Sequence, residues 1–487
     1  MKSTQDLYKR FLKAKARRDS LESTWRECYA FSLPQREGVF SETVSQTDTL
    51  FDGTAPDSVD QLAASMLSEL TPAWNRWFDL SVGADLYGDE ARQAAQTLEN
   101  ISNVMQGHFD RSSFVVELHQ CFLDLVTVGT ACLLFEEEKI GGASAFKFTA
   151  VPLSELYVEE GRTGRLDVTF RRHAMSLEEL QNRFTKRDLP ADLCEKLKEK
   201  DAKADVIEAV IPGDKGGYDY QVFVCEGADD LTVLKEGHFT ESPFITFRWL
   251  KAPGEIYGRS PVMKALPDIK TVNKVVELIL KNATIAVTGI WQAEDDGVLN
   301  PANIRLTPGA IIPKAVGSKG LTPLEAAGSF DVSQLVLNDL RSRIRHALLV
   351  DKLGQITDPK MTATEVLERS NDMVEVLGAT YSRLQIELLH PLIERAVSIL
   401  RRRGEIPEIY IDGRIVDVGY QSPLARKQNT DKANNALIWL SSLGALGTDA
   451  YACLDIPAFV RWLGETLNVP MELMKPAETH VLTGENT

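Results

Sequence analysis

The sequence predicts a mainly helical α+β protein organised around a pair of antiparallel helices, and three stretches of the chain indicate this. Apolar residues recur at steps of three and four from Leu266 to Val287, and again from Val332 to Leu348, which is the spacing of one helix face. Between these stretches, residues 289–328 are rich in glycine and proline, which excludes a long helix and favours short strands and turns. We therefore expect one helix to leave the core, a compact tip, and a second helix that returns.

Composition indicates a globular protein whose net charge does not favour tight binding to nucleic acid. Because the chain has 487 residues, we expect two or more folding units. Its composition, 44% hydrophobic and 25% charged, argues against bulk disorder. Its formal net charge of -16 is poorly suited to tight nonspecific DNA binding, because that binding depends on cations that release counterions. DNA that passes without being held is not excluded. The six cysteines form no CxxC pair and are typical of reduced thiols in a cytosolic product, and no apolar run of about 18 residues predicts a membrane span.

The N-terminal part is predicted to be helical and then rich in strands. Helices are expected at 4–30, from near Pro56 to Leu70, at 89–109 and at 114–136. The first helix carries a basic face, which we expect to be solvated, with a nucleic-acid or membrane role as the alternative. Trp74, Trp77 and Phe78 are expected in the core, with an exposed aromatic binding surface as the alternative. From Phe146 to Phe247, short apolar runs between Gly, Pro and Asp predict strands, with a helical excursion near 177–200.

Beyond the helix pair, the chain returns to long helices. Residues 351–360 form a polar loop, and Thr362 with Glu365 matches a capping box that begins a helix. This helix is expected to be kinked at Pro391 and to end at Gly404. Residues 405–420 resemble a β-hairpin with its turn at Asp412 and Gly413, and further helices are expected at 424–467.

Motifs for catalysis are absent from the sequence. It contains no phosphate-binding GxxxxGK[ST], no GxGxxG, no GxSxG and no HExxH, and its seven histidines are dispersed. The pair Asp295 and Asp296 lies in a turn-like segment, where solvation explains it better than acid–base catalysis. The sequence therefore predicts a protein that is not an enzyme and needs no cofactor or metal. A hydrolase with an active site assembled from distant residues is the alternative.

Several segments together resemble one family. They are GEIYGRSPVMKALPDIKTVN at 254–273, MTATEVLERS at 361–370, YQSPLAR at 420–426, and the run from Trp25 through Leu62–Phe78. In this order and at this chain length, the sequence resembles the portal, or head-to-tail connector, proteins of short-tailed bacteriophages. The resemblance covers nearly the whole chain.

The resemblance implies the portal fold, which is divided into wing, stem, clip and crown and assembles as a ring of twelve subunits. Its parts would be the wing at 1–262, the stem helices at 263–287 and 330–350, the clip at 288–329, the tunnel loop at 351–361, the kinked spine helix and hairpin of the wing at 362–422, and the crown with the C-terminal tail at 423–487. Such a ring would lie at one capsid vertex and serve as the channel for packaging and ejection of double-stranded DNA.

The same resemblance implies partners and candidate site residues. Expected partners are the terminase large subunit, scaffolding and major capsid proteins and tail adaptor proteins, first in the host cytoplasm and then in the virion. The tunnel-loop candidates are Lys352, Gln355, Thr357 and Lys360; the stem-face candidates are Lys270, Lys274, Glu277 and Lys281; the clip candidates for docking terminase or adaptor are Glu294, Asp295 and Asp296. The stem lysines would either contact DNA phosphates or pair with carboxylates of the adjacent subunit. Another ring or adaptor component of the virion is the alternative function.

Overall fold

The computed structural model describes most of the chain as helices and antiparallel sheets. It describes residues 3–34, 50–73, 76–83, 85, 88–162, 164–184, 203–214, 216–225, 231–288, 291–293, 316, 321–323, 330–350, 378, 380–409, 411, 415–420, 423–445 and 454–466. The helices are α1 (Thr4–Ser32), α2 (Thr54–Leu70), α3 (Gly88–Asp110), α4 (Phe114–Val128), α5 (Leu177–Arg183), α6 (Pro261–Thr288), α7 (Phe330–Ala347), α8 (His390–Arg403), α9 (Pro423–Ala445) and α10 (Ile456–Thr466). Helices and strands are mixed, as an α+β fold requires.

The strands form four antiparallel sheets within the described chain. They are β1 (Phe78–Val82), β2 (Thr130–Glu137), β3 (Phe146–Ala150), β4 (Leu156–Glu159), β5 (Val168–Ser176), β6 (Lys203–Pro212), β7 (Tyr218–Cys225), β8 (Leu231–Phe239), β9 (Phe244–Arg248), β10 (Trp291–Ala293), β11 (Leu321–Pro323) and β12 (Val416–Tyr420). The orders are β3-β2-β9, β4-β5-β6-β7-β8, β1-β12 and β10-β11. The strand-rich region predicted from Phe146 to Phe247 is confirmed.

The core consists of one large cluster and one small cluster. In the large cluster, α4 packs against α2 and β2. The buried residues of this cluster extend along the chain from Trp25 on α1 to Val418 on β12. Trp77 and Phe78 are buried in it, as predicted. The small cluster joins the first half of α1, through Leu7 and Phe11, to the five-stranded sheet. Buried residues near the two ends of α1 therefore belong to different clusters.

The predicted helix at 114–136 is wrong beyond Val128. Gly129 adopts a left-handed conformation with φ 81° and donates its N–H to the Leu125 carbonyl at 2.9 Å, which ends α4. The chain then continues as β2, which is buried from Thr130 to Phe135. A continuous apolar run has the same composition in a buried strand and a buried helix, so periodicity could not separate them.

The hairpin predicted at 405–420 is not found among the described residues, and its predicted turn at Asp412 and Gly413 lies outside them. β12 pairs with β1, in a register that places Val418 opposite Leu80, and the described residues Ile409 and Ile411 lie outside any strand. The alternation of apolar and polar residues from 416 to 418 predicts a strand, which is β12, but does not indicate that its partner is β1.

The spine helix is interrupted before Pro391 and ends where predicted. Gln385–Leu389 forms a π-helical turn directly before α8, and Gly404 ends α8 with φ 71°. A wider turn accommodates a residue that has no N–H to donate to the preceding turn. The start of this helix, including Thr362 and Glu365, lies outside the described residues.

Candidate functional site: the α6–α7 helix pair

The start of α6 is fixed by contacts with the end of α4. Ser260 accepts a hydrogen bond on its hydroxyl from the Met263 N–H at 2.9 Å and donates from it to the Thr127 carbonyl at 2.8 Å. Gly258 donates its N–H to the Thr130 hydroxyl at 2.8 Å, and a Cβ at Gly258 would lie 2.0 Å from the Gly129 carbonyl oxygen. Two backbones therefore touch here, and this contact requires glycine at position 258.

A short segment before α2 holds both helices of the pair. The Asn273 side-chain oxygen on α6 accepts hydrogen bonds from the N–H groups of Phe51 at 2.6 Å and Asp52 at 3.2 Å. On α7, Arg341 pairs with the Asp52 carboxylate at 2.7 Å. Burial alone would raise the pKa of Asp52, but hydrogen bonds from Thr54 and Arg341 outweigh it and lower the pKa below its ordinary value. We call these contacts of Asn273 and Arg341 with residues 51–52 the base clamp.

The two helices are antiparallel and leave the core toward β10 and β11. Near the base, Arg343 late in α7 pairs with Asp268 early in α6 at 2.9 Å, as antiparallel helices require. Among the described side chains, none on α6 is buried from 274 to 284, and the first buried one on α7 after 334 is Leu337. β10 and β11 pair with each other, which agrees with the short strands predicted for the tip. The predicted pair of helices is confirmed.

Toward the tip, apolar side chains are exposed on both helices. Leu278 and Leu280 on α6 are each 49% exposed, and on α7 Leu335 is 74% and Val336 44% exposed. Leu278 and Leu280 are about 200° apart around the helix, and Leu335 and Val336 about 100°. More than one side of each helix is thus apolar, which is typical of helices that are covered by neighbours.

The four stem-face candidates lie on α6, and each of them pairs within the chain. Glu277 lies between Lys274 at 2.9 Å and Lys281 at 2.5 Å, and the ammonium groups of Lys281 and then Lys274 lower the pKa of Glu277. Lys270 pairs with Glu27 of α1 at 2.6 Å. Neither sequence alternative, contact with DNA or pairing with an adjacent subunit, is tested by these contacts.

The other predicted site residues lie outside the described residues. These are Lys352, Gln355, Thr357 and Lys360 of the loop and Glu294, Asp295 and Asp296 of the tip. The described chain reaches the loop through Leu349, which has a left-handed φ of 61°. A β-carbon makes this conformation costly, so the exit from α7 is a strained position.

Sequence reasoning missed the roles of the base residues. Gly258, Ser260 and Asn273 all lie within segment 254–273, which carries the family resemblance. The sequence of this segment does not indicate which contacts each of the three residues makes. Asp52 and Arg341 are distant in sequence, and no local pattern indicates that they meet. Their pairing becomes visible only when α2, α6 and α7 are placed together.

The described residues offer no metal site and no membrane span. No group of three or more His, Cys, Asp or Glu side chains in the described part could hold a metal ion. Among the described helices, none combines the length and apolar character needed to cross a bilayer. A helix pair that is clamped at its base and apolar at its tip is instead typical of a subunit of an assembly.

Comparison with known sequences identifies the assembly. Residues 4–474 match the family described as bacteriophage head to tail connecting protein, and the chain belongs to this family. It is therefore a structural component of the virion at the capsid vertex, a ring-forming oligomer in contact with other virion components, and not an enzyme.

Curated portal proteins align with this chain over most of their length. The chain is 25% identical to the probable portal protein of Bordetella phage BPP-1, over 96% of this chain and 88% of the relative. It is 24% identical to the portal protein of Enterobacteria phage T3, over 89% and 81%, and 23% identical to that of Salmonella phage epsilon15, over 97% and 89%.

Among solved structures, a chain from the neck of an empty gene transfer agent particle is similar, with a TM-score of 0.38 and 13% identity over 87% of this chain and 93% of that one. A TM-score this low adds nothing to the assignment, which rests on the family match.

Proposed function

We propose that twelve copies of this chain form a ring in which the α6–α7 pairs stand side by side and enclose a channel for double-stranded DNA. The observation that carries this proposal is the exposure of Leu278, Leu280, Leu335 and Val336 on a pair of helices whose base is firmly held. A single subunit leaves these side chains in water. Adjacent copies would cover them through head-to-tail contacts, which close into a ring when the rotation per subunit is right.

The charges of the channel would favour passage over binding. One carboxylate, Glu277, lies between the two ammonium groups of Lys274 and Lys281, so this part of α6 carries only a small net positive charge. A strongly basic lining would hold phosphates through counterion release. Lys352 and Lys360 of the tunnel loop are the cations that we assign to weak contact with the DNA backbone.

We extend the proposal to the remaining parts of the chain, on the support of the family resemblance. Residues 1–262 and 362–422 would form the wing, 288–329 the clip and 423–487 the crown. Glu294, Asp295 and Asp296 of the clip would contact the terminase large subunit during packaging and a tail adaptor afterwards. Scaffolding and major capsid proteins would contact the ring during assembly.

The test is the state of the purified full-length chain. We expect negative-stain images to show rings with twelvefold symmetry, and native mass spectrometry to give the mass of twelve subunits. The variant L280D/L335D should prevent ring closure, because it adds charge to the apolar contact of an already acidic chain. The control V116D/I140D changes two side chains that are exposed elsewhere, at 64% and 91%. Monomers or dimers of the unmodified chain at assembly concentrations would contradict the proposal.

A further inference from the structure

The outward side of α1 carries a row of cations that no carboxylate neutralises. Lys9, Lys13 and Arg17 are exposed and follow one another at steps of four, so they lie nearly in one line with one cation per helical turn. Within the described chain, none of these three side chains forms an ion pair or a hydrogen bond. We call these three residues the α1 cation row.

Other cations of the same helix are used to attach it to the sheet beneath. Arg10 pairs with Glu159 of β4 at 2.6 Å. Arg18 donates to the Leu153 carbonyl at 3.2 Å, and its guanidinium lies 4.9 Å from the centre of the Tyr157 ring. These contacts fix the inner side of α1, so the cation row on the outer side is presented in one orientation.

The local charge of α1 is opposite in sign to that of the whole chain. From Ser3 to Arg18 the sequence has six lysine and arginine residues and one carboxylate, that of Asp6, although the net charge of the chain is -16. Exposed charges interact over about one Debye length, which is about 8 Å at physiological ionic strength. The cation row therefore attracts anions in spite of the acidic composition of the chain.

The apolar content of this side decides the class of partner. Leu12, at 43%, is the one exposed large apolar side chain among the described residues of α1, whereas Leu7 and Phe11 are buried in the small cluster. A protein interface has an apolar centre, and a helix that binds anionic lipid inserts an apolar face, and the outer side of α1 offers neither. A line of cations fits instead the backbone of a nucleic acid, which is a line of phosphates.

We infer that the α1 cation row binds the phosphates of double-stranded DNA, without sequence preference, at a site separate from the α6–α7 pair. α1 meets α6 where Glu27 pairs with Lys270. Arg17 precedes Glu27 by about 15 Å along the helix, and Lys9 precedes it by about 27 Å. The row is complete in a single subunit, so the inference does not depend on the proposed ring.

The first test measures binding to a fluorescently labelled, closed DNA circle, which cannot be threaded through a preformed channel. Fluorescence anisotropy is recorded over a salt series. K9Q/K13Q/R17Q should bind at least about tenfold more weakly than the unmodified chain at about 50 mM salt. Its plot of log K against log salt should be less steep by about 2.7, because each neutralised phosphate contributes about 0.9.

The matched control is R111Q/K139Q/R162Q, which removes the same charge from three exposed positions outside α1. It should keep the slope of the unmodified chain. Equal slopes for the two variants, or no binding by the unmodified chain at about 50 mM salt, would overturn the inference. Absence of rings would contradict the proposed function alone, because dissociated subunits carry the same row.

The second test uses the unmodified chain and does not depend on any variant. Duplex DNA should at least about halve the acetylation of Lys9 and Lys13 by an N-hydroxysuccinimide ester and leave that of Lys139 unchanged, as measured by mass spectrometry. Protection of Lys9 and Lys13 by ring assembly, with none from DNA, would show that carboxylates of a second copy occupy the row. That result would overturn the inference.

Discussion

Arg248 is completely buried, and its guanidinium holds together three parts of the chain. It pairs with Glu387 of the π-helical turn at 2.6 Å and donates to the carbonyls of Ile256 at 3.0 Å and Gly164 at 2.9 Å. Its N–H on β9 also reaches the Glu387 carboxylate at 3.0 Å. A buried charge with a full set of partners tolerates poorly the loss of any one of them.

We expect E387Q to lower the free energy of unfolding by about 3 kcal/mol, because Arg248 would remain charged beside a neutral partner in a buried site. Urea denaturation of the dissociated subunit measures the change. R402A is the control, since Arg402 pairs with Glu137 at 2.6 Å on the surface, with side chains 49% and 32% exposed. Its cost should stay below about 1 kcal/mol. Equal costs for the two variants would show that burial of the pair has no energetic consequence.

His173 on β5 predicts a dependence of stability on pH. Both of its ring nitrogens are buried without a hydrogen-bond partner among the described residues. Burial, followed by the charges of Arg171 and Arg183, lowers the pKa of His173 from 6.5 to about 4. Between these values the unfolded chain binds the proton and the folded chain does not, so falling pH favours unfolding.

The variant H173L should therefore lose less stability than the unmodified chain as the pH falls from about 6.5 toward 4. The measured quantity is the difference in stability between the two proteins at each pH. This is needed because the raised pKa of the neighbouring, buried Glu208 makes falling pH favour folding, which opposes the effect of His173. Thermal unfolding over this pH range measures it. Parallel curves would mean that His173 is protonated equally in both states.

At the scale of elements, two helix features have their cause in distant contacts. The π-helical turn Gln385–Leu389 accommodates Pro391 and at the same time places Glu387 against Arg248. The base clamp fixes α6 and α7 through residues 51–52, which precede α2. In both cases a local feature of one helix is stabilised by another part of the chain.

The base clamp leads to a prediction for N273A. Removing the Asn273 side chain leaves two backbone N–H groups, those of Phe51 and Asp52, without their acceptor, which should cost about 1–3 kcal/mol. Hydrogen exchange should increase at residues 51–52 and along the base of α6 and α7, and not in the five-stranded sheet. K274A, which removes an exposed partner of Glu277 on the same helix, should leave exchange at residues 51–52 unchanged. Faster exchange in both variants would contradict a specific clamp.

At the scale of the whole molecule, a subunit with a net charge of -16 would, in the proposed ring, assemble through neutral surfaces and admit DNA without binding it tightly. The exposed apolar side chains of α6 and α7 supply neutral surface, and Glu277 and Glu27 partly neutralise the charge of the α6 lysines. The proposed assembly and the proposed weak contact with DNA thus place compatible demands on the same chain.

The tunnel loop gives the prediction at this scale. Shortening 351–360 to a glycine linker should leave rings intact, because the helix contacts remain, and should impair packaging or retention of DNA in complemented phage. A change limited to K352Q/K360Q should have a weaker effect in the same direction if charge contributes. Rings are counted in negative stain, and packaged DNA is measured by nuclease protection. Normal packaging without the loop would refute its assignment.

The sequence by itself determined the positions of five helices, the end of a sixth, and the absence of catalytic motifs. The period of three and four residues located α1, α2, α3, α6 and α7, and Gly404 marked the end of α8. These features depend on contacts between residues close in sequence, which periodicity and turn chemistry record. The segment 254–273 carries the family resemblance for the same reason, because its residues are continuous in sequence.

Only the tertiary structure decided which elements meet. It ended α4 at Gly129 and made β2 a central strand, it paired β12 with β1 instead of with a neighbouring arm, and it brought Asp52 to Arg341 and Glu387 to Arg248. Apolar runs are compatible with more than one partner and more than one secondary structure. Packing of distant segments selects among these possibilities, because only one arrangement buries the apolar surface and also satisfies the buried polar groups.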